Sequence, residues 1–194
     1  IPAISEFAQY RFVRDARGNV INLPSQGVDE RILLVLDCER WGLARLHIFE
    51  GAAARKDKLE AFQAELQQIA EIRSDHVSRL VSWGRDAEEL FYADEMQDGE
   101  PLTTYLGRTG RVPVPVASEW ILQLLTCFES LDRLPPSLER FSTLNFEVVM
   151  NRQGRIFPVF SEFYGWTKPG AQVREHKVDW SFAQIFCSLV AGVP

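Results

Sequence analysis

The spacing of apolar and polar positions changes several times along the chain, and each change marks an element. Tyr10-Arg11-Phe12-Val13 and Val20-Ile21-Asn22-Leu23 flank Asp15-Ala16-Arg17-Gly18-Asn19. Gly and Asn supply positive-φ positions there, so the segment predicts a hairpin. Ile32 to Cys38 reads as a strand, Glu39-Arg40-Trp41-Gly42 turns, and Leu43 to Phe49 sets Ala44, Leu46 and Ile48 on one face against Arg45 and His47 on the other. That alternation predicts a second hairpin. After Gly51 the period lengthens: Leu59, Phe62, Leu66, Ile69 and Ile72 recur at three and four. A helix from about Asp57 to Arg73 follows, with Lys58, Glu60, Gln63, Gln67 and Glu71 on its polar side.

Further strands are predicted at Val77 to Gly84 and Leu90 to Glu95, joined by the acidic turn Asp86-Ala87-Glu88-Glu89. Gln97-Asp98-Gly99-Glu100-Pro101 reads as a linker, followed by a short helix at Leu102 to Leu106. Pro113 and Pro115 precede a helix from Val116 to Leu134, whose Trp120, Ile121, Leu124, Leu125, Phe128 and Leu131 form a broad apolar stripe. Pro135-Pro136 ends it. Val148-Val149-Met150 and Arg155-Ile156-Phe157 around Asn151-Arg152-Gln153-Gly154 predict another hairpin. Phe160 to Gln172 is loop-like and aromatic, and the run from Val178 is apolar nearly all round, which predicts a helix buried within a domain.

Composition narrows the classes. With 194 residues, 46% apolar and 25% charged, the chain is long and apolar enough for a globular fold of one or two domains. A net charge of −6 with no basic patch excludes sequence-independent nucleic-acid binding as an expectation. Cys38, Cys127 and Cys187 are far apart, without the spacing of a zinc site, and are expected to be buried, reduced thiols. No apolar run reaches the ~18 residues of a membrane-spanning helix. The start has no signal-peptide pattern, so no membrane insertion and a cytoplasmic location are expected. Beginning at Ile1 and stopping at Pro194 after a helical pattern, the chain is expected to be a domain excised from a larger protein.

Five strands interrupted by one helix, then a linker, then a mainly helical part with one small hairpin, is the element order of a protein kinase. Phe62-Gln63-Ala64-Glu65, with Ile69, Ile72, Val77 and Leu80, resembles the small-lobe helix whose glutamate pairs with the strand lysine. Phe91-Tyr92-Ala93-Asp94-Glu95-Met96-Gln97-Asp98-Gly99-Glu100-Pro101-Leu102 resembles the fifth strand, hinge and following helix of bacterial-type serine/threonine kinases. Val178-Asp179-Trp180-Ser181-Phe182 through Gly192-Val193-Pro194 resembles the large-lobe helix that begins with aspartate and ends at Thr-Gly-x-Pro. The resemblance implies an α+β, bilobal fold: a small lobe over residues 1–96, a hinge at 97–101 and a truncated, mainly helical large lobe over 102–194.

Phosphoryl transfer in that family needs a phosphate cradle, a strand lysine, metal-binding groups and a base. The cradle position reads Asn22-Leu23-Pro24-Ser25-Gln26-Gly27-Val28-Asp29-Glu30, with one glycine, a proline that lacks an N–H, and two acids that repel phosphate. His47 stands at the lysine position, and Arg45 at the small residue that makes room for adenine. Asp94 stands at the position controlling access to the rear of the nucleotide pocket, where it is a candidate partner for Arg45. In the catalytic loop, Arg140 replaces the histidine, Ser142 the base and Glu147 the metal-binding asparagine. Phe160 replaces the metal-binding aspartate of D-F-G, or Ser161 does with a one-residue shift. An alcohol cannot by itself take the aspartate's place as base.

These substitutions imply a pseudokinase without cofactor, serving as a protein-interaction or regulatory module in signalling, with a protein partner expected and self-association left open. The alternative is a divergent transferase that binds nucleotide in an altered pose, with Glu65, Glu147 or Glu162 holding metal. His47 and Glu65 are a candidate charge-assisted pair. Glu147, Glu162 and Asp179 are a weaker candidate metal set, and His76 beside Asp75 belongs to a turn after the helix. The aromatic group Phe157, Phe160, Phe163, Tyr164 and Trp166 reads either as core or as a patch for a partner.

Overall fold

The computed structural model describes residues 9–25, 30–49, 56–86, 89–129, 146–151, 153–161, 163 and 178–192, with side chains 56–59, 61, 127–129 and 178–181 left undescribed. The elements are β1 (Tyr10–Phe12), β2 (Asn22–Leu23), β3 (Glu30–Asp37), β4 (Gly42–Phe49), α1 (Lys56–Glu71), β5 (Leu80–Asp86), β6 (Glu89–Glu95), β7 (Gly99–Pro101), α2 (Leu102–Thr109), α3 (Val114–Glu129), β8 (Phe146–Met150), β9 (Ile156–Phe160) and α4 (Val178–Ala191). Two compact units result, residues 1–67 with 79–96, and residues 68–78 with 97–194.

In the first unit a sheet runs in the order β1-β3-β4-β6-β5, with β2 also on β3, and every pairing is antiparallel. Turn chemistry sets its registers. Asp15 accepts backbone N–H bonds from Arg17 and Asn19 through one carboxylate oxygen, and Gly18 takes φ 82°, which closes the first hairpin as its composition predicts. Asp37 caps the next turn in the same way, accepting from the N–H groups of Glu39 and Arg40. There the positive φ falls on Trp41 rather than on Gly42. That turn aligns Asp37 with Gly42 and, seven residues along, Glu30 with Phe49.

One face of this sheet carries a core of Tyr10, Leu33, Val35, Ala44, Leu46, Ile48 and Ala93. Its two outer strands are tied by a 2.6 Å hydrogen bond between the Tyr10 and Ser82 hydroxyls. On the opposite face Ile32, Phe49 and Leu90 are also buried, and Phe49 meets Phe62 of α1 edge-to-face at 6.0 Å. Phe62, Leu66 and Ile69 are the buried stripe that the helical period predicts. Because both faces are covered, Arg45 and His47 are buried rather than facing water, at 4% and 1% exposure. Their alternation with Ala44, Leu46 and Ile48 is real, but it divides two buried faces.

The second unit holds the three-stranded sheet β7-β8-β9. The run read as a linker contains β7, paired with β8 from Gly99↔Val149 to Pro101↔Glu147. The hairpin β8–β9 pairs Phe146 with Phe160 and Met150 with Ile156, and Gly154 supplies the positive φ at its turn. The helix α2 buries Leu102 and Leu106. On α3, Ala117, Trp120 and Leu124 are buried, and the Trp120 indole donates to the Ile156 carbonyl at 3.2 Å. The stripe on α3 is narrower than its composition suggests, since Leu122 and Leu125 are exposed. The same correction applies to α4: Phe182, Ile185 and Leu189 are buried while Ala183, Gln184, Cys187 and Ala191 are exposed. Cys187 is therefore an exposed thiol and Cys38 a half-buried one, against the expectation of buried cysteines. A run without polar punctuation does not show which side its neighbours cover. Among the described residues no helix is long and apolar enough to cross a membrane.

Gly99 sits where a Cβ would come within 2.9 Å of both the Val148 carbonyl oxygen and Val149 Cγ2. Substitution by alanine forces β7 away from β8. The expected outcome for Gly99→Ala is a loss of about 1–3 kcal/mol of stability, read as a lower urea midpoint with an unchanged slope.

Candidate functional site

The register of β3, β4 and β6 brings four charged residues onto one buried sheet face. Ile32 and Tyr92 are the direct cross-strand partners of His47, while Arg45 faces Asp94. Glu30 and Asp94 therefore lie diagonal to His47, two residues along each neighbouring strand, within reach of a long side chain. His47 Nδ1 lies 2.8 Å from a Glu30 carboxylate oxygen, and Nε2 lies 3.2 Å from Asp94 Oδ1. Arg45 meets Asp94 through a fork, with Nε donating to Oδ1 at 3.2 Å and Nη2 donating to Oδ2. The Ser25 hydroxyl donates to the other Glu30 oxygen at 2.8 Å. Tyr92 stacks on the imidazole, with centroids 4.2 Å apart and planes 13° from parallel. All four charged residues are at most 8% exposed.

Charge and protonation follow from this geometry. An ionised carboxylate only accepts, so an imidazole held between two of them donates through both nitrogens and is an imidazolium. Formal charge then cancels across Glu30, Asp94, Arg45 and His47. Burial is the largest single influence on His47 and pushes its pKa down. The hydrogen bonds and attraction of Asp94 and Glu30 together outweigh it and hold the group above its ordinary 6.5. For Asp94 burial pushes up, but the Arg45 guanidinium and the His47 hydrogen bond hold the carboxyl below its ordinary 3.8. The Tyr92 face adds a cation–π contact on the imidazolium.

Of the sequence-derived positions in this unit, Arg45, His47 and Asp94 are brought together, and the Arg45–Asp94 pair is present. The His47–Glu65 pair is not what the ring makes: both of its nitrogens go to Glu30 and Asp94. Glu65 is half-buried on α1. Sequence reasoning gave Glu30 only a repulsive part in the cradle segment. Its true place could have been found by pairing residues outward from the Asp37–Gly42 turn, which sets Ile32 opposite His47 and Glu30 on the same face.

In the second unit, Glu147 is half-buried on β8, opposite Val159 and Pro101. Phe160 ends β9 and is fully buried, with Phe146 at 5.3 Å and Phe163 at 5.4 Å. A parallel bridge joins it to Val77; its N–H donates to the His76 carbonyl and its carbonyl accepts from Ser78. Phe160 and Phe163, at 0% and 1% exposure, thus offer no surface to a partner, which corrects that part of the aromatic-patch reading. They fill core because the bridge draws the end of β9 against the 74–78 turn. Phe157 is half-buried, with His76 edge-to-face at 5.2 Å. Arg140, Ser142, Glu162, Tyr164 and Trp166 lie outside the described residues, as does the Asp179 side chain. Among the described residues no group of three or more His, Cys, Asp or Glu side chains could hold a metal ion.

Solved structures of similar shape are kinase domains. A double mutant of the Mycobacterium tuberculosis PknI kinase domain superposes with a TM-score of 0.75 at 16% identity, over 97% of this chain and 78% of that one. The unsubstituted PknI kinase domain gives 0.72 at 18%, over 97% and 76%. The fold is protein kinase-like. At such identity the likeness speaks for the fold alone. No protein-family model matches the chain, and no curated protein matches it by sequence.

The paired groups make a signed pH prediction. A histidine held above 6.5 contributes stability that is fully present below that pH and is lost as pH rises through its folded pKa. An aspartate held below 3.8 contributes stability that is present above that value and lost as pH falls through its folded pKa. Urea midpoints are therefore expected to fall as pH is raised from about 6 to about 9, where most domains are near level. His47→Gln is expected to lose about 3–5 kcal/mol at pH ~6 and to flatten that alkaline slope. A wild-type midpoint that is flat over the same range would reject the imidazolium.

Proposed function

We propose that this is a catalytically inactive, kinase-like domain: a pseudokinase that serves as a protein-interaction or regulatory module of a larger bacterial signalling protein. The observation that carries the reading is the buried cluster on β3, β4 and β6. By resemblance, His47 stands at the lysine position, Arg45 at the small residue that makes room for adenine, and Asp94 at the gate to the rear of the nucleotide pocket. A lysine in that family pairs with the helix glutamate and still reaches the phosphates. Here the ring at that position spends both nitrogens on Glu30 and Asp94, and Asp94 also takes the Arg45 fork. The groups that would have to turn toward a nucleotide are already satisfied by one another, and parting them would strand a buried charge.

Glu147 and Phe160 support the same reading. A β8 glutamate at the amide's position, and a core phenylalanine at the metal aspartate's, leave magnesium without its usual ligands there. Such a domain would act in the cytoplasm by scaffolding, binding a protein partner through its surface rather than through a reaction.

Thermal shift tests the claim directly. A nucleotide at 100 times its Kd stabilises a protein by about 2.7 kcal/mol, which is easily read. ATP and ADP, each with and without magnesium or manganese, are expected to leave the melting temperature unchanged. A saturable shift that Arg45→Ala or His47→Ala abolishes would establish the divergent nucleotide-binding transferase instead.

A further inference from the structure

The two acids of the buried cluster are not equally held. Asp94 takes the Arg45 fork as well as the His47 ring, and its backbone is flanked by Arg45 on β4 and Leu80 on β5. Glu30 is held by His47 Nδ1 at 2.8 Å and by the Ser25 hydroxyl at 2.8 Å. It is the first residue of β3 and is paired in register with Phe49, the last of β4, so the two close the end of the hairpin opposite the Asp37–Gly42 turn. One acid is anchored within the sheet, and the other sits at its margin.

Loss of the His47 proton to solvent sets these two acids against each other. An imidazolium donates through both nitrogens, whereas a neutral ring donates through one and turns a lone pair toward whatever faces the other. The formal charge of Glu30, Asp94, Arg45 and His47 then goes from zero to one negative. Around the ring stand Glu30 from β3, Arg45 from β4, and Asp94 with Tyr92 from β6, while α1, which meets Phe49 through Phe62, carries the half-buried acid Glu65. Arg31, next to Glu30, alternates to the opposite face and pairs with Glu89. Both arginines are thus already committed to acids. A buried carboxylate that faces a lone pair is relieved by reaching water. Asp94 keeps its guanidinium, so Glu30 is the acid that leaves.

We propose that the Glu30–His47 contact is a pH-operated latch: when the imidazolium gives up its proton, the Glu30 carboxylate turns out to solvent and the open end of the β3–β4 hairpin loosens, while Asp94 and Arg45 stay joined. The consequence reaches α1, because Phe49 at that end meets Phe62 edge-to-face and stacks on Tyr92 with centroids 5.8 Å apart. Protonation of one ring is thereby linked to the seating of a helix. The latch stands on the partners of Glu30 and Asp94 and holds whether or not the domain binds nucleotide or a protein.

Nuclear magnetic resonance of the isotope-labelled chain between about pH 6 and about pH 9 tests it. Below the His47 midpoint, Overhauser contacts are expected from the ring to the Glu30 γ-protons and to the Asp94 β-protons. Above it, the Glu30 contact is expected to vanish and the Asp94 contact to remain. Amide protection at Arg31 and Ile48, corrected for the intrinsic exchange rate, is expected to fall about tenfold through the same midpoint while Val35 and Ala44, near the turn, hold theirs. Glu30→Gln is expected to make the protection at Arg31 and Ile48 independent of pH. Ser25→Ala, which removes the other partner of the carboxylate, is expected to lower the midpoint. Loss of the Asp94 contact, retention of both contacts across the range, or protection lost through the whole sheet at once would each overturn the latch. So would a pH dependence that survives Glu30→Gln, or a midpoint that Ser25→Ala leaves in place.

Discussion

The charge balance among Glu30, Asp94, Arg45 and His47 is the constraint on which the first unit depends. A sheet buried on both faces has no room for a lone ion, because removing a charge from water costs several kcal/mol unless a partner offsets it. Four charged residues on three strands satisfy that condition only in one register. A slip of one residue between β3 and β4 would move Glu30 to the face of Leu46 and leave His47 with one carboxylate. The cluster is weak as a source of net stability and strong as a penalty on every arrangement that breaks it. Its effect on the sheet is to specify the register more than to deepen the energy minimum.

Much of the fold was legible in the spacing of apolar residues. The α1 stripe, the β3–β4 hairpin and the β8–β9 hairpin lie where their periods put them, since period 2 and period 3.6 are local properties of the chain. The resemblance to a kinase rested on element order, and the likeness to solved kinase domains agrees. What the sequence concealed was tertiary. The Arg45 and His47 face reads the same whether water or another layer covers it, and only α1 and Phe49 decide which. Gln97 to Pro101 has the composition of a linker, yet Gly99 allows the close approach that pairs β7 with β8. In α4 an apolar run concealed an exposed side.

The candidate site was legible residue by residue but not as a set. Arg45, His47 and Asp94 were each visible as departures from a kinase pattern, and two of them form a pair that could be anticipated. Glu30 was visible only as an acid in a segment where phosphate should bind. Its partnership with His47 depends on the distance between strands, which the sequence does not state until the turn is used to count register. For the aromatic group the sequence left core and patch both open. Phe160 and Phe163 crowd into one segment, and in the structure they are core, with the end of β9 drawn against the 74–78 turn.

The buried ionic cluster also couples its members, so that a change at one position is felt at the others. His47→Lys would keep a positive charge, but an ammonium on a flexible stem would replace a flat ring that Tyr92 covers and that reaches two carboxylates at once. Arg45→Ala would open space on the same face while removing the guanidinium fork from Asp94. Asp94→Met would remove the acid shared by both cations and leave the His47 ring with the Glu30 carboxylate. Each position is held by the others, so the effects of single replacements here are expected to be non-additive. Such coupling makes the four residues behave as one unit: a lock on the register of the sheet.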